Sequence, residues 1–314
     1  MLKMGIVGCA GIARHRMMPA MRAHPAFTVS AVASRSLDRA QQLADEYSED
    51  GCRAIDGYHA LVEDPDIDAV YVPLPAALHA EWVEAALRAG KHVLAEKPLT
   101  TSPETSRALF ELAQARGLVL LENVMFVHHA QHREVLRLVA EGAIGTPHFF
   151  EAAFTIPRQR DEDIRYRAAL GGGCLFDVGI YPTRAAVHLL GGPFTVVGAV
   201  LETPAGREVD TSGSALLRSA DGVSVHLSFG MDDHYRSSYA LSGSEGRILV
   251  DRAFTPPADH VPEVFLDAGG TRRRIALPAD DQVAATLAAF AAGTVDRAAC
   301  LAGADLVAAI RAAA

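Results

Sequence analysis

The sequence predicts an α/β protein in two parts. A doubly wound, parallel-sheet domain over 1–123 is followed, over 124–314, by an α+β domain with a mostly antiparallel open sheet. Three observations carry this expectation. A chain of 314 residues exceeds ordinary single-domain size. Over roughly the first 120 residues, short apolar runs alternate with helical patterns, the signature of βαβ units. From Thr195 to Ile275 alternating β patterns dominate instead, as in an antiparallel sheet with one covered face.

In the first part the strand runs are 2–7, 29–34, 69–72, 92–95 and 119–122, with helical stretches at 12–23, 37–47, 80–89 and 103–116. Gly90 and Gly117 stand where helix C-caps belong, and Thr101 or Ser102 before Pro103 suits a helix start. After about residue 123 the expected order is a helix at 132–141, a strand at 148–155 and an irregular Arg-rich stretch at 157–170. Three glycines, 171–173, then open into a helix near 177–189. Strands follow at 214–218, 223–229, 238–242, 247–250, 263–266 and 273–276. Ala-rich helices at 281–291 and 300–312 close the chain, and the last helices are candidates to pack back on the first domain.

Half the residues are apolar and 21% charged, which excludes a disordered, collagenous or coiled-coil chain. A formal net charge of −9 argues against sequence-independent binding to nucleic acid or to an anionic membrane. Cys9, Cys52, Cys174 and Cys300 form no CxxC pair, so neither a disulfide framework nor a zinc site is expected. His128 and His132 share i,i+4 spacing but lack the glutamate of HExxH and a third ligand, so no metal is expected. With no signal-peptide pattern before Leu2, the expected location is the cytoplasm.

Gly5-Ile6-Val7-Gly8-Cys9-Ala10-Gly11-Ile12-Ala13 follows the first strand and opens a helix. Aligned on G-x-G-x-x-G/A it supplies Gly8, Ala10 and Ala13, the sharp turn that brings helix N–H groups to a pyrophosphate in a dinucleotide-binding Rossmann domain. A small-residue turn made only for helix–strand packing is the competing reading. Val32-Ala33-Ser34-Arg35-Ser36, at the end of the next strand, lacks the acid that bonds the ribose 2′-hydroxyl of NAD. Ser34 and Arg35 suit a 2′-phosphate, hence NADP(H); Asp38 reads as a first-turn helix acid.

Only Lys3, Lys91 and Lys97 among 29 basic residues are lysine, which draws attention to Lys97 in Glu96-Lys97-Pro98 at a strand's carboxyl end. Asp177-x-Gly179-x-Tyr181 then sets an acid and a phenol at i and i+4. Hydride delivery to a carbonyl builds negative charge on oxygen and needs a proton donor beside positive charge. Tyr181 can donate, a neighbouring Lys97 ammonium lowers its pKa, and Asp177 can orient the lysine or a substrate hydroxyl.

The element order, Glu96-Lys97-Pro98 and Asp177-x-Gly179-x-Tyr181 resemble the glucose-fructose oxidoreductase / inositol dehydrogenase / MocA-like family over essentially the whole chain. In that family the lysine and the His or Tyr lie beside the nicotinamide and serve the transferred proton. Gly8-Cys9-Ala10, Leu74-Pro75 with His79, His128-His129, Asp163-Ile164-Arg165-Tyr166-Arg167 and Phe254-Thr255-Pro256-Pro257 are similar to the NDP-hexose 3-ketoreductases of deoxysugar biosynthesis. Ala76 departs from the family's usual Asn near the nicotinamide ribose.

The resemblance implies NADPH-dependent reduction at C-3 of a nucleotide-linked keto-deoxysugar. It implies cofactor contacts from Gly8, Ala10, Gly11, Ile12, Ser34, Arg35, Leu74, Pro75, His79, Glu96 and Lys97, with catalysis by Lys97, Tyr181 and Asp177. Substrate contacts are expected from Phe126, Arg165, Tyr166, Asp177 and Tyr235, with Arg165 on the diphosphate and Tyr166 stacked on base or sugar. A homodimer or homotetramer through the second domain's sheet is expected. A dihydrodiol or aldose dehydrogenase, and a non-catalytic NADP-sensing protein, remain the alternatives.

Overall fold

The computed structural model describes residues 1–314, which divide into two compact units: 1–123 with 283–297, and 124–282 with 298–314. In the first, β1 (Leu2–Val7) runs into a π-helical segment (Ala13–Met17) and α1 (Met18–Ala23). There follow β2 (Phe27–Ser34), α2 (Leu37–Asp45), β3 (Arg53–Asp56), α3 (Tyr58–Glu63), β4 (Ala69–Val72), α4 (Ala76–Arg88), β5 (His92–Glu96), α5 (Pro103–Ala115) and β6 (Leu120–Asn123). The strands pair in parallel in the order β3-β2-β1-β4-β5-β6. The order reverses between β1 and β4, and open sheets of this kind bind ligands outside the carboxyl ends of the strands at that switch.

The inner strands read as unbroken apolar runs because both faces are covered: Met4, Ile6, Val7 and all of β4 are buried. β3 and α3 have no counterpart in the expected elements. The edge strand Arg-Ala-Ile-Asp is exposed at both ends and carries no apolar run to announce itself. Ser102 is the N-cap of α5, its Oγ accepting from Thr105 N at 3.2 Å, and Gly90 (φ 81°) and Gly117 (φ 66°) end α4 and α5 as expected.

The second unit starts with a 3₁₀ turn (Met125–His128) and α6 (Ala130–Ala140). It continues through β7 (Pro147–Thr155), a π segment (Leu175–Gly179) with α7 (Ile180–Leu190), β8 (Phe194–Glu202), β9 (Ser212–Ser219) and β10 (Ser224–Gly230). β11 (Arg236–Gly243), β12 (Gly246–Asp251), β13 (Glu263–Ala268) and β14 (Thr271–Ile275) complete its sheet. The order is β14-β13-β12-β11-β7-β10-β9-β8, antiparallel throughout except for the parallel β7–β10 pair. Helix α6 begins two residues before the expected start because His129 caps it and Asp280 Oδ2 accepts from Ala130 N at 2.6 Å.

One face of this sheet packs on α7 through Phe150, Phe154, Leu217, Val225, Leu227 and Phe229. Phe149, Val200 and Leu216, on strands of the same sheet, are exposed. Helix α8 (Gln282–Ala291) falls almost wholly in the first unit and α9 (Arg297–Ala313) in the second. No helix is long and apolar enough to cross a membrane.

Candidate active site

Gly8 follows β1 with φ +108°, its N–H bonded to Ala33 O at 2.9 Å. A Cβ there would stand 3.0 Å from Leu74 Cδ2, so glycine answers both the backbone angle and the close approach. Arg14 N closes the first helical bond on Ala10 O, leaving the N–H groups of Gly11, Ile12 and Ala13 without intrahelical acceptors. Gly11 is exposed, Ala10 and Ile12 half-buried. The donor set fits a pyrophosphate.

At the end of β2, Ser34 is buried with Oγ accepting from Ser36 N at 3.3 Å, and Arg35 is exposed. Asp38 sits in the first turn of α2, as a helix acid. Cys9 donates to Arg39 O at 3.5 Å; burial raises its thiol pKa, opposed by a bond to Ser34 and the charges of Arg39 and Arg14. Arg39 was not among the expected contacts, although its spacing of four from Arg35 was a usable signal. A carboxylate-free strand end flanked by Arg35 and Arg39 fits a dinucleotide with a 2′-phosphate.

At the end of β5 the expected roles divide. Lys97 is half-buried at the tip. Glu96 is only 9% exposed, its Oε1 accepting from Tyr71 Oη (2.7 Å) and Asn123 Nδ2 (2.6 Å) and its Oε2 from Lys97 N (3.3 Å). Glu96 therefore anchors the turn that carries Lys97. His79 is fully buried, with Nδ1 against Pro98 O (2.8 Å) and Nε2 against Leu74 O (2.7 Å). Burial holds its pKa down, and it braces the half-buried Leu74-Pro75 loop from behind. Lys91 is buried too, donating to Asp64 O and Ile67 O at 2.7 and 2.6 Å. Scarcity of lysine thus marks a structural position as well as Lys97.

In the second unit Asp177 lies within the π segment and Tyr181 in the first turn of α7, both half-buried. The turn joining them is thus π where an α turn was expected, and such bulges are frequent at functional sites. A Cβ on Gly179 would come within 3.1 Å of Phe229 and Leu175, so the glycine of the motif lets the helix lie close on β10. The Tyr181 ring stands edge-on to Phe154, centroids 4.7 Å apart.

The residues expected at the substrate have the following surroundings within the chain. Arg165 is paired within the chain: Nε donates to Asp177 Oδ2 at 2.6 Å and Nη1 to Asp163 Oδ1 at 3.0 Å; burial works to lower its pKa, but these two carboxylates outweigh it and raise it. Its guanidinium holds Asp177 in place. Tyr166 is 4% exposed, its Oη donating to Met231 O (3.3 Å) and accepting from Gln159 N (3.2 Å), with Arg207 over its ring. Phe126 is wholly buried among Tyr181, His132 and Phe254, a wall behind the tyrosine. Tyr235 is half-buried, bonded through Oη to Thr255 Oγ1 at 3.1 Å under Arg252. His132 is buried between Tyr239 Oη and Ala253 O, both at 2.9 Å.

Comparison with known proteins supplies the family. The profile described as "Oxidoreductase family, NAD-binding Rossmann fold" matches residues 2–124, and the GFO/IDH/MocA C-terminal domain matches 132–249. A dTDP-3,4-didehydro-2,6-dideoxy-alpha-D-glucose 3-reductase of Actinomadura kijaniata is 49% identical over 290 residues, covering 92% of this chain and 86% of its own. Its namesake from Streptomyces violaceoruber is 52% identical over 292 residues, covering 92% and 84%. A crystal structure of a 3-ketoreductase from Actinomadura kijaniata with NADP and TDP-benzene superposes with TM-score 0.95 at 46% identity, over 99% of this chain and 97% of that one. From profile, sequence and fold alike, this chain belongs to the GFO/IDH/MocA family of oxidoreductases.

Proposed function

We propose that this chain reduces the C-3 keto group of a dTDP-linked 3,4-diketo-2,6-dideoxyhexose with NADPH. The observation that carries this reading is near-50% identity, over nine-tenths of the chain, to reductases named for that substrate. The cofactor would be held by the turn after Gly8 (Ala10, Gly11, Ile12) with the open amides of Gly11, Ile12 and Ala13, by Ser34, Arg35 and Arg39 toward a 2′-phosphate, and by Leu74, Pro75 and Lys97 at the strand ends. When bound, NADPH supplies the hydride.

The chain supplies the rest. Tyr181 gives its phenolic proton to the oxygen that gains charge. The Lys97 ammonium lowers the phenol's pKa and stabilises the phenolate left behind. Asp177, fixed by Arg165, accepts from a sugar hydroxyl and orients the ring. Variants of the Actinomadura kijaniata 3-ketoreductase with a tyrosine-to-phenylalanine or a lysine-to-alanine exchange were crystallised with TDP-benzene and NADP, which supports a tyrosine and a lysine of interest in that protein.

We further infer a cytoplasmic homo-oligomer in which a second copy covers the sheet face bearing Phe149, Val200 and Leu216. Light scattering of the purified chain reads this directly, a monomeric mass counting against it. The activity is tested by following NADPH oxidation with the keto sugar generated in place by a dehydratase. Turnover is expected. No turnover, with NADP-dependent oxidation of a diol or an aldose such as xylose instead, would overturn the substrate, and NADPH binding without reduction of any carbonyl would favour a sensor.

A further inference from the structure

The loop between β8 and β9 reaches back onto the chain that precedes α7. Arg207 lies 4.1 Å over the Tyr166 ring and its Nη2 donates to Asp161 Oδ1 at 2.6 Å. Two residues of the loop then meet main-chain amides. Glu208 Oε2 accepts from Ala168 N at 3.1 Å. Asp210 takes two: its carbonyl oxygen accepts from Cys174 N at 2.8 Å, and its Oδ2 from Leu175 N at 2.7 Å.

The second pair sits at a telling place. Cys174 and Leu175 begin the helical segment that carries Asp177 and Tyr181, where N–H groups have no acceptor within the helix. Cys174, at the N-cap position, makes no side-chain cap bond. The preceding Gly173 has φ +118°, and a Cβ on it would stand 2.6 Å from Asp210 Oδ1. A side chain there would push the carboxylate away, so Gly173 and Asp210 are matched across 37 positions of sequence.

We propose that Asp210 is a positioning residue for the reductase: a cap delivered from a distant loop, fixing the start of the π segment and so the places of Asp177 and Tyr181. Without it, the first turn frays or relaxes from π to α register, and the acid and phenol no longer hold their mutual orientation. The inference rests on the reading above that those two residues carry the chemistry.

The test compares Asp210→Ala and Asp210→Asn in the full chain. The readouts are hydrogen exchange of the 172–181 segment, NADPH affinity by fluorescence, and kcat and KM for the keto sugar. In Asp210→Ala the Leu175 amide, whose acceptor is the carboxylate, should exchange about tenfold faster, while the Cys174 amide keeps its main-chain acceptor; kcat should fall about tenfold or more, with NADPH affinity unchanged. Asp210→Asn keeps an oxygen to accept from Leu175 N and should retain kcat within about threefold. If the alanine variant does not fold, Asp210→Ser makes the same comparison with a shortened acceptor. Native exchange in Asp210→Ala overturns the cap. Faster exchange with unchanged kcat, or equal losses in the alanine and asparagine variants, overturns the positioning role. Wild-type inactivity toward the keto sugar would instead sink the substrate reading, while exchange still decides the cap.

Discussion

Tyr181 separates packing from chemistry within one side chain: the ring is held edge-on by Phe154 and backed by Phe126, while the phenol is the polar handle. Tyr181→Phe keeps the ring contacts and removes the proton. We expect kcat for carbonyl reduction to fall by about 10²–10⁴-fold, with NADPH affinity and thermal midpoint unchanged; steady-state kinetics beside a melting curve checks both. Single residues were the least legible scale in the sequence. Lys97 and Lys91 look alike as rare lysines, yet one sits at a strand tip and the other is sealed onto two carbonyls. His79, Phe126 and Tyr166 carry residue types that binding sites favour, but their burial is decided by what the chain folds against them. The Arg165–Asp177 pair was not legible, because its two members lie twelve residues apart with nothing in sequence to link them.

Elements were more legible, because apolar period and cap chemistry are local. The buried runs of β1, β4 and β5, the Ser102–Pro103 start of α5 and the glycine ends of α4 and α5 are written in adjacent residues. Polar edge strand β3 is not, since its pairing with β2 leaves little apolar trace. Both π segments also escaped notice; an extra residue in a turn changes hydrogen-bond register without changing composition. Gly179 can be tested at this scale. Gly179→Ala inserts a methyl 3.1 Å from Phe229 and Leu175, and overpacking of this sort costs about 1–3 kcal/mol. Urea unfolding should show that loss, and kcat should fall as α7 is lifted from β10. A variant as stable as the parent would mean that Phe229 yields freely.

Over the molecule as a whole, the division into a parallel and a mostly antiparallel sheet followed from where the strand patterns cluster, and it holds. The parallel β7–β10 pair did not follow, because it joins strands about seventy residues apart. Burial also collects titratable groups in the second unit: His128, His129 and His132 all have pKa values lowered by desolvation, with neighbouring cations adding to it. An unfolded chain titrates these rings near 6.5, so below that value the unfolded state binds more protons than the folded one. Stability is therefore complete above about pH 6.5 and declines as pH falls toward the lowered folded-state values. The urea midpoint should drop between about pH 7 and pH 5, and His132→Gln should flatten the slope. A pH-independent midpoint would show that the rings titrate normally.

Helix α8 completes the nucleotide-binding unit with residues that follow the second sheet in sequence. Phe290 of this helix stacks on Phe27 at 6.1 Å, and Leu287 beside it is fully buried. During synthesis the first hundred-odd residues thus leave the ribosome with Phe27 lacking its aromatic partner. The unit closes only once position 297 has emerged, after the entire second sheet. Residues 1–123 expressed by themselves would leave bare the apolar surface around Phe27 that Phe290 covers, so this unit matures only after 283–297 have been made.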